Sequence, residues 1–327
     1  MNNRRKLVVA LGAGALAAPF HAFSQQQPGK VWRIGFLGVG SAGPYAERIE
    51  ALRAGLRAFG YAEGRNVTIE YVWAENNYER LPQLVNALSR VKVDVIVTHS
   101  GTGVRAARQA ATGIPIVMTD VGDAVASGHV DSLARPGGSI TGSTFFAPQL
   151  STKRLEILKE VMPRIARTGW LVNSNNPGFA NLRKDMAAAA QAMKVELHEF
   201  DVRPAGLDSA LQTIAKGRVD ALLIQEDPLF TSNIGAITKA AQQQRLPLIG
   251  FSQFADAGGM IGFGVNFPEL YRRAAYFVDK ILKGAKPADL PVEQATKFEL
   301  IVNMKSARAL GITIPQSVLV RAERVIE

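Results

Sequence analysis

His99 and Ser100 stand side by side at the end of an apolar run, and a serine next to a histidine is the start of a base-activated nucleophile. That chemistry needs a third group to orient the imidazole. The sequence places none, so His99 is read as a wall residue and not as a base. No other catalytic constellation stands in for it: there is no H-E-x-x-H, no Walker loop and no G-x-S-x-G, and the chain has only four histidines. The absence of cysteine excludes a disulfide framework, a thiolate metal site, a cysteine nucleophile and a lipid-modified N-terminal cysteine. Gly38-Val39-Gly40-Ser41-Ala42-Gly43 fits G-x-G-x-x-G between a predicted strand, Arg33 to Leu37, and a predicted helix, Pro44 to Gly60. The acid a dinucleotide ribose would need is out of place, because Glu63 sits in a turn and Glu75 comes too late. What remains is a set of backbone N–H groups at a helix start, suited to a small anion such as a carboxylate. No cofactor and no metal are expected, and the protein is not expected to be an enzyme.

These loops hang on elements that the apolar pattern marks. Val93-Asp94-Val95-Ile96-Val97-Thr98 reads as a strand buried on both faces, and Val104 to Ala111 as a helix with Ser100 or Thr102 near its cap. Ile114-Pro115-Ile116-Val117 begins a second buried strand, which completes a βαβ unit. The unit returns later. Val219-Asp220-Ala221-Leu222-Leu223-Ile224 repeats the first run and Leu246-Pro247-Leu248-Ile249 the second. In the same order, Ile34-Gly35-Phe36-Leu37 matches Gly169-Trp170-Leu171-Val172, and Val67-Thr68-Ile69 matches Val195-Glu196-Leu197. The sequence therefore predicts an α/β protein of two doubly wound parallel-sheet lobes, with a ligand site in the cleft between them. Further predicted helices are an Ala/Gly-rich one after Asp123, an unbroken one from Leu229 to Gln244, and one from Pro268 to Lys283 that packs back on the first lobe. Residues 31–145 with 268–285 would form lobe 1, and 146–265 with 297–327 lobe 2. Several chain crossings between them would act as a multi-strand hinge.

A chain of 327 residues is long for one such lobe and comfortable for two. Its 47% hydrophobic and 20% charged residues describe a packed protein, not a disordered one. The net charge of +10 does not point to nucleic acid, because no basic run is interleaved with aromatics. Arg4, Arg5 and Lys6 supply three of those charges and open a leader. Behind them come the apolar stretch Leu7 to Ala18 and small residues at Ala22-Phe23-Ser24, where a signal peptidase would cut. The apolar stretch is too short to span a bilayer of roughly 30 Å. Residues 1–24 are read as a signal peptide that exports the protein to the periplasm, by the general or the twin-arginine route.

Ligands of open α/β sheets sit beyond the carboxyl ends of the strands. That rule selects Gly40, Ser41 and Tyr45 after the first strand, Ser100, Gly101 and Thr102 after the third, and Asp120 to Gly122 after the fourth. From the second half it selects Asn173, Asn175, Glu226, Asp227, Phe251 and Phe254. Ser41, Ser100 and Thr102 could donate to a carboxylate, and Asp227 or Asp120 could hold an ammonium. Tyr45, Phe251 and Phe254 could cover an aromatic or aliphatic side chain. Each choice has a plainer competitor. Ser100 and Thr102 are good helix caps, Asp227 before Pro228 is a strong one, and Asn173 to Asn176 read equally as turn residues.

The C-terminal third carries a signature in three pieces: Ala288-Asp289-Leu290-Pro291-Val292-Glu293-Gln294, Lys297-Phe298-Glu299-Leu300-Ile301-Val302-Asn303 and Ala309-Leu310-Gly311-Ile312-Thr313-Ile314-Pro315. Together with Gly122-Asp123-Ala124-Val125 and the segment Leu133 to Gly142, it resembles a family of ABC-transporter substrate-binding proteins, some associated with tryptophan or tyrosine uptake. The resemblance runs from about residue 31 to the end. It implies a type I periplasmic-binding-protein fold, with two α/β lobes joined by three crossovers and a ligand trapped between them. Gly103 departs from it, since members often carry proline there. The implied function is that of an exported monomer that traps an amino acid or related carboxylate and delivers it to an ABC permease in the inner membrane. A periplasmic sensor subunit that signals to a membrane receptor is the alternative, and an enzyme on the same two-lobed frame ranks third for want of a catalytic constellation.

Overall fold

Short apolar runs alternating with helices can hide both faces of a strand only in a parallel sheet, and this chain builds two. The computed structural model describes residues 30–111, 113–203 and 205–327, and Trp32–Glu327 pack as one unit. The predicted leader, residues 1–24, lies outside the described residues.

The first sheet takes β1 (Trp32–Gly38), β2 (Val67–Trp73), β3 (Val95–Thr98), β4 (Ile116–Val121) and β5 (Ile140–Thr144). Helices α1 (Ala46–Ala58), α2 (Leu81–Arg90) and α3 (Ser100–Ala110) link the first four strands. The chain then crosses into α4 (Ala147–Val161), β6 (Arg167–Val172), α5 (Phe179–Ala192), β7 (Glu196–Asp201) and α6 (Leu207–Lys216). It continues through β8 (Ala221–Ile224), α7 (Pro228–Ser232), α8 (Ile234–Gln243), β9 (Leu248–Gly250), α9 (Ser252–Asp256) and β10 (Ile261–Val265). Helix α10 (Phe267–Leu282) and β11 (Glu293–Gln294) return to the first sheet. The last elements, β12 (Phe298–Asn303), α11 (Met304–Leu310), α12 (Gln316–Leu319) and β13 (Arg324–Ile326), finish the second lobe.

The strand orders are β11-β5-β4-β3-β1-β2 and β13-β12-β10-β9-β8-β6-β7. Every pairing is parallel except β10 with β12. The chain passes between the sheets three times, after β5, after β10 and after β11.

The reason the strands read as continuous apolar runs is visible in β3. Val95 and Val97 join a cluster with Ile34, Phe36 and residues of α10, while Ile96 joins a second cluster with Leu37, Val85 and Val104. In β6, Trp170 and Val172 face one core and Leu171 another. Full burial of each aliphatic side chain contributes about 1.5–3 kcal/mol, so both faces of these two central strands are heavily committed. Helix α10 lies close against α1: a Cβ on Gly55 would come within 2.5 Å of the Arg272 carbonyl oxygen, so only glycine fits the crossing.

Three local readings are corrected, and two short elements are new. The Ala/Gly-rich stretch after Asp123 is not a helix but a turn closed by the His129 N–H on the Ala124 carbonyl, with Gly128 left-handed at φ +67°. The predicted helix Leu229 to Gln244 is broken at Asn233, where α7 ends and α8 starts. Helix α3 begins at Ser100, four residues before the predicted Val104, because the Ser/Gly/Thr segment takes up its first turn. Helix α9 and strand β13 were not marked by any periodicity, being five and three residues long.

Candidate functional site

Residues that follow the carboxyl ends of strands in both sheets line one cavity. The first lobe contributes Tyr45 and Arg48 after β1, His99, Ser100 and Gly101 after β3, and Asp120 and Gly122 around the end of β4. The second contributes Asn176 after β6, Gln225, Glu226 and Asp227 after β8, Phe251 after β9 and Phe267 after β10. About 50 Å³ is open to the centres of water-sized molecules, several times the roughly 10–15 Å³ that a single water takes on that measure.

On the first-lobe side a strained turn sets the geometry. Ser100 is left-handed, with φ +58°, a conformation that costs a non-glycine residue on the order of 1 kcal/mol. Two hydrogen bonds hold it. Asp120 accepts the Ser100 backbone N–H, and the Ser100 Oγ accepts from the Gly103 N–H at 3.5 Å. Gly103 is required here, since a Cβ would lie 2.5 Å from Thr98 Oγ1 and 2.9 Å from the Val39 side chain. That packing accounts for the departure from proline.

Asp120 anchors the one buried cation of this wall. Arg48 is 3% exposed; its Nη1 donates to Asp120 Oδ2 at 3.3 Å, and its guanidinium lies 4.1 Å from the Phe267 ring centroid and 4.8 Å from that of Tyr45. Its Nη2 is buried and has no hydrogen-bond partner. An unpaired buried polar group costs about 1–3 kcal/mol, and more when charged. Burial pushes the Asp120 carboxyl up to about 6, against the pull of Arg48 and of hydrogen bonds from Thr119 and Ser100, so it is ionised at neutral pH.

His99 closes the same wall. Its Nε2 accepts the Val39 N–H at 2.9 Å, and its ring packs against Tyr45, tilted by 42° with the centroids 4.4 Å apart. Burial, helped by the Arg48 charge, pushes the imidazole down to about 3. It is a neutral ring whose acceptor nitrogen is already occupied, which suits a wall and not a general base.

The second-lobe side is acidic. Glu226 pairs through Oε1 with Arg154, which is 1% exposed and also donates to the carbonyls of Phe263 at 2.7 Å and Ile224 at 3.4 Å. The other oxygen, Glu226 Oε2, is buried without a partner. Asp227 is more heavily engaged. It caps α7 through the Leu229 N–H at 3.0 Å and accepts from Asn173 Nδ2 at 3.0 Å, Asn176 Nδ2 at 3.0 Å and Tyr78 Oη at 3.2 Å. Burial raises its carboxyl above the usual range while those donors hold it down. Tyr78 belongs to the first lobe, so this cluster ties the two lobes together.

The sequence-selected residues divide into two groups. Tyr45, Ser100, Gly101, Asp120, Val121, Gly122, Glu226, Asp227 and Phe251 line the cavity. The others stand outside it. The Ser41 N–H donates to Ser232 Oγ at 3.2 Å across the lobes, beside Gly40, whose Cβ position lies 2.6 Å from that oxygen. Asn173 is fully buried behind Asp227. Thr102 and Asn175 line a neighbouring groove at the lobe edge with Arg105, which donates to the Asn175 carbonyl at 3.4 Å. Phe254 is core, packed edge-on against Phe251 at 4.8 Å. Sequence reasoning missed Arg48 and Phe267 altogether. Helix α1 carries Glu47, Arg48, Glu50, Arg53 and Arg57, and nothing local says which of these is buried.

Residues 43–326 match the family model described as ABC transporter substrate binding protein. The chain is 26% identical to a tyrosine-binding protein of Clostridioides difficile over 255 residues, which is 77% of this chain and 73% of that one. Among solved structures, a conserved domain protein from Vibrio cholerae O1 biovar eltor superposes with a TM-score of 0.85 at 28% identity, covering 90% of this chain and 100% of that one. An ABC domain from Streptococcus pneumonia in complex with L-Trp gives a TM-score of 0.83 at 24% identity, covering 90% and 99%.

Proposed function

Because the chain belongs to the ABC transporter substrate binding protein family, we propose that it is the exported receptor of an ABC importer, taking an amino acid or related carboxylate, aromatic ones included. The observation that carries this reading is the cavity itself. It lies between the strand ends of two lobes, and both lobes supply charged groups and aromatic walls to it. Tyr45, Phe251 and Phe267 offer ring surface to an apolar side chain. Relatives described as binding tyrosine or L-Trp support the same class of solute. Residues 31–145 with 268–285 and residues 146–265 with 297–327 would move as two bodies about the three crossings, closing when a ligand touches both. Among the described residues no helix is long and apolar enough to cross a membrane, and family members are typically exported to the periplasm, where delivery to a permease takes place.

The test is a thermal-shift screen of the purified protein against the common L-amino acids, aromatic acids, nucleobases and sugars. A cognate solute at about 100 times its Kd stabilises by about 2.7 kcal/mol, a shift of several degrees. A shift confined to sugars or nucleobases would end the amino-acid reading, and turnover of a hit would reopen the enzyme class.

A further inference from the structure

Two buried ion pairs flank the same cavity, and each leaves one atom of a charged group without a partner. Arg48 pairs with Asp120 and leaves Nη2 free, while Glu226 pairs with Arg154 and leaves Oε2 free. Arg48 comes from the first lobe and Glu226 from the second, and both line the cavity. We propose that the solute is recognised as a zwitterion, its α-carboxylate on the Arg48 guanidinium and its α-ammonium on the free oxygen of Glu226. This rests on the receptor reading above and narrows its solute from any carboxylate to an α-amino acid.

The charge count favours a zwitterion over a plain carboxylate. The carboxylates of Asp120, Asp123, Glu226 and Asp227 line the cavity, against the guanidiniums of Arg48 in its wall and Arg154 behind Glu226. A lone carboxylate would add one more negative charge to a wall that already has an excess, with little water to screen it. A lone amine would satisfy Glu226 and leave the Arg48 N–H unpaired. Asp227, the other acid at hand, is less available to an ammonium because it already takes hydrogen bonds from Tyr78, Asn173, Asn176 and the Leu229 amide. The arrangement also ties recognition to closure. One end of the ligand belongs to each lobe, so a molecule lacking either end would engage only one of them.

The experiment is calorimetric titration of the purified protein with L-tryptophan, tryptamine and 3-indolepropionate, and with L-tyrosine, tyramine and 3-(4-hydroxyphenyl)propionate. If another amino acid leads the thermal screen, its own amine and desamino acid are used. The expected result is that each analogue binds at least about tenfold more weakly than the amino acid. In Glu226→Gln the amino acid should weaken by about tenfold or more while the desamino acid holds or gains, and in Arg48→Gln the amine should be the ligand least affected. A purely structural role for these residues would weaken all ligands alike. A desamino acid within about threefold of the amino acid, or a Glu226→Gln variant that weakens both equally, overturns the zwitterion and leaves the receptor standing. If either variant fails to fold, the analogue series on the wild-type protein decides alone. If no amino acid binds at all, the amino-acid reading and this one fall together.

Discussion

The two lobes solve the same problem, a buried arginine beside the cleft, in opposite ways. In the second lobe Arg154 spends itself inward on Glu226 and two backbone carbonyls, and it is the carboxylate that keeps an uncommitted atom. In the first lobe Arg48 makes one hydrogen bond of 3.3 Å to Asp120, lies over two aromatic rings and keeps an uncommitted atom of its own. A duplicated frame thus turns a positive group into the cavity from one side and a negative group from the other. One arginine is scaffold and the other lines the cavity.

That difference can be broken most forcefully at Arg154. Arg154→Met leaves Glu226 buried and unpaired and removes two carbonyl contacts, which should cost about 3–5 kcal/mol. Adding Glu226→Leu should return most of the lost stability without restoring binding. Arg48→Met should cost less, about 1–2 kcal/mol, because Asp120 keeps hydrogen bonds from Thr119 and Ser100 and can take up a proton. Chemical denaturation of the three variants checks the ranking. Equal losses at the two arginines would mean that both are scaffold.

The lobes should also part company in acid. His99 and His129 both lie in the first lobe, buried, with imidazoles pushed down to about 3 and about 4, mainly by burial. His198 of the second lobe is far more exposed and is paired with Glu196. A histidine depressed in the folded state binds its proton first in the unfolded chain, near pH 6.5. The stability these two provide is therefore complete above that pH and is lost as pH falls toward 4 and then 3. Each contributes up to about 1.4 kcal/mol per pH unit in that window. Asp120 works against them: its carboxyl, raised to about 6, takes up a proton in the folded state first and gives back part of the loss between about pH 6 and 4. Hydrogen exchange between pH 7 and 5 should show first-lobe amides losing protection before second-lobe ones, and His129→Leu should flatten the slope. Protection that fades evenly in both lobes would contradict the assignment.

Much of this frame was legible in the chain because buried parallel strands announce themselves. Runs such as Val95-Ile96-Val97 and Ala221-Leu222-Leu223-Ile224 need no tertiary context to be recognised. The strand-end rule then found Ser100, Gly101, Asp120 and Asp227, since it asks only where a loop follows a strand. Arg48 escaped it because its burial is decided by Phe267, a residue more than two hundred positions away that reaches it only after the chain has crossed between the lobes twice. Phe251 and Phe254 looked alike in sequence, and a five-residue helix turns one toward the cavity and the other into the core. The segment after Asp123 misled by composition, since alanine permits a helix but a left-handed Gly128 ends it within a turn.

The smallest effect is expected where the lobes touch. Tyr78 Oη donates to Asp227 Oδ1 at 3.2 Å and accepts from Asn173 Nδ2 at 3.0 Å, a contact made by the first lobe on the second. If the lobes move as proposed, this bond belongs to the closed arrangement, whereas each lobe's own core is intact in both. Tyr78→Phe removes the hydroxyl and keeps the ring. Asp227 retains Asn173, Asn176 and the Leu229 amide, so the ligand-free protein should melt within about 1 °C of wild type, the lost bond being worth about 0.5–1.5 kcal/mol only in the closed state. Apparent affinity scales with the fraction of molecules able to close, so the same loss appears as a roughly two- to tenfold weaker Kd for the cognate solute. Calorimetry alongside a melting curve separates the alternatives. A weaker Kd with an unchanged melt identifies a latch between the lobes; a lower melt with an unchanged Kd would make Tyr78 part of the static frame and put the hinge elsewhere.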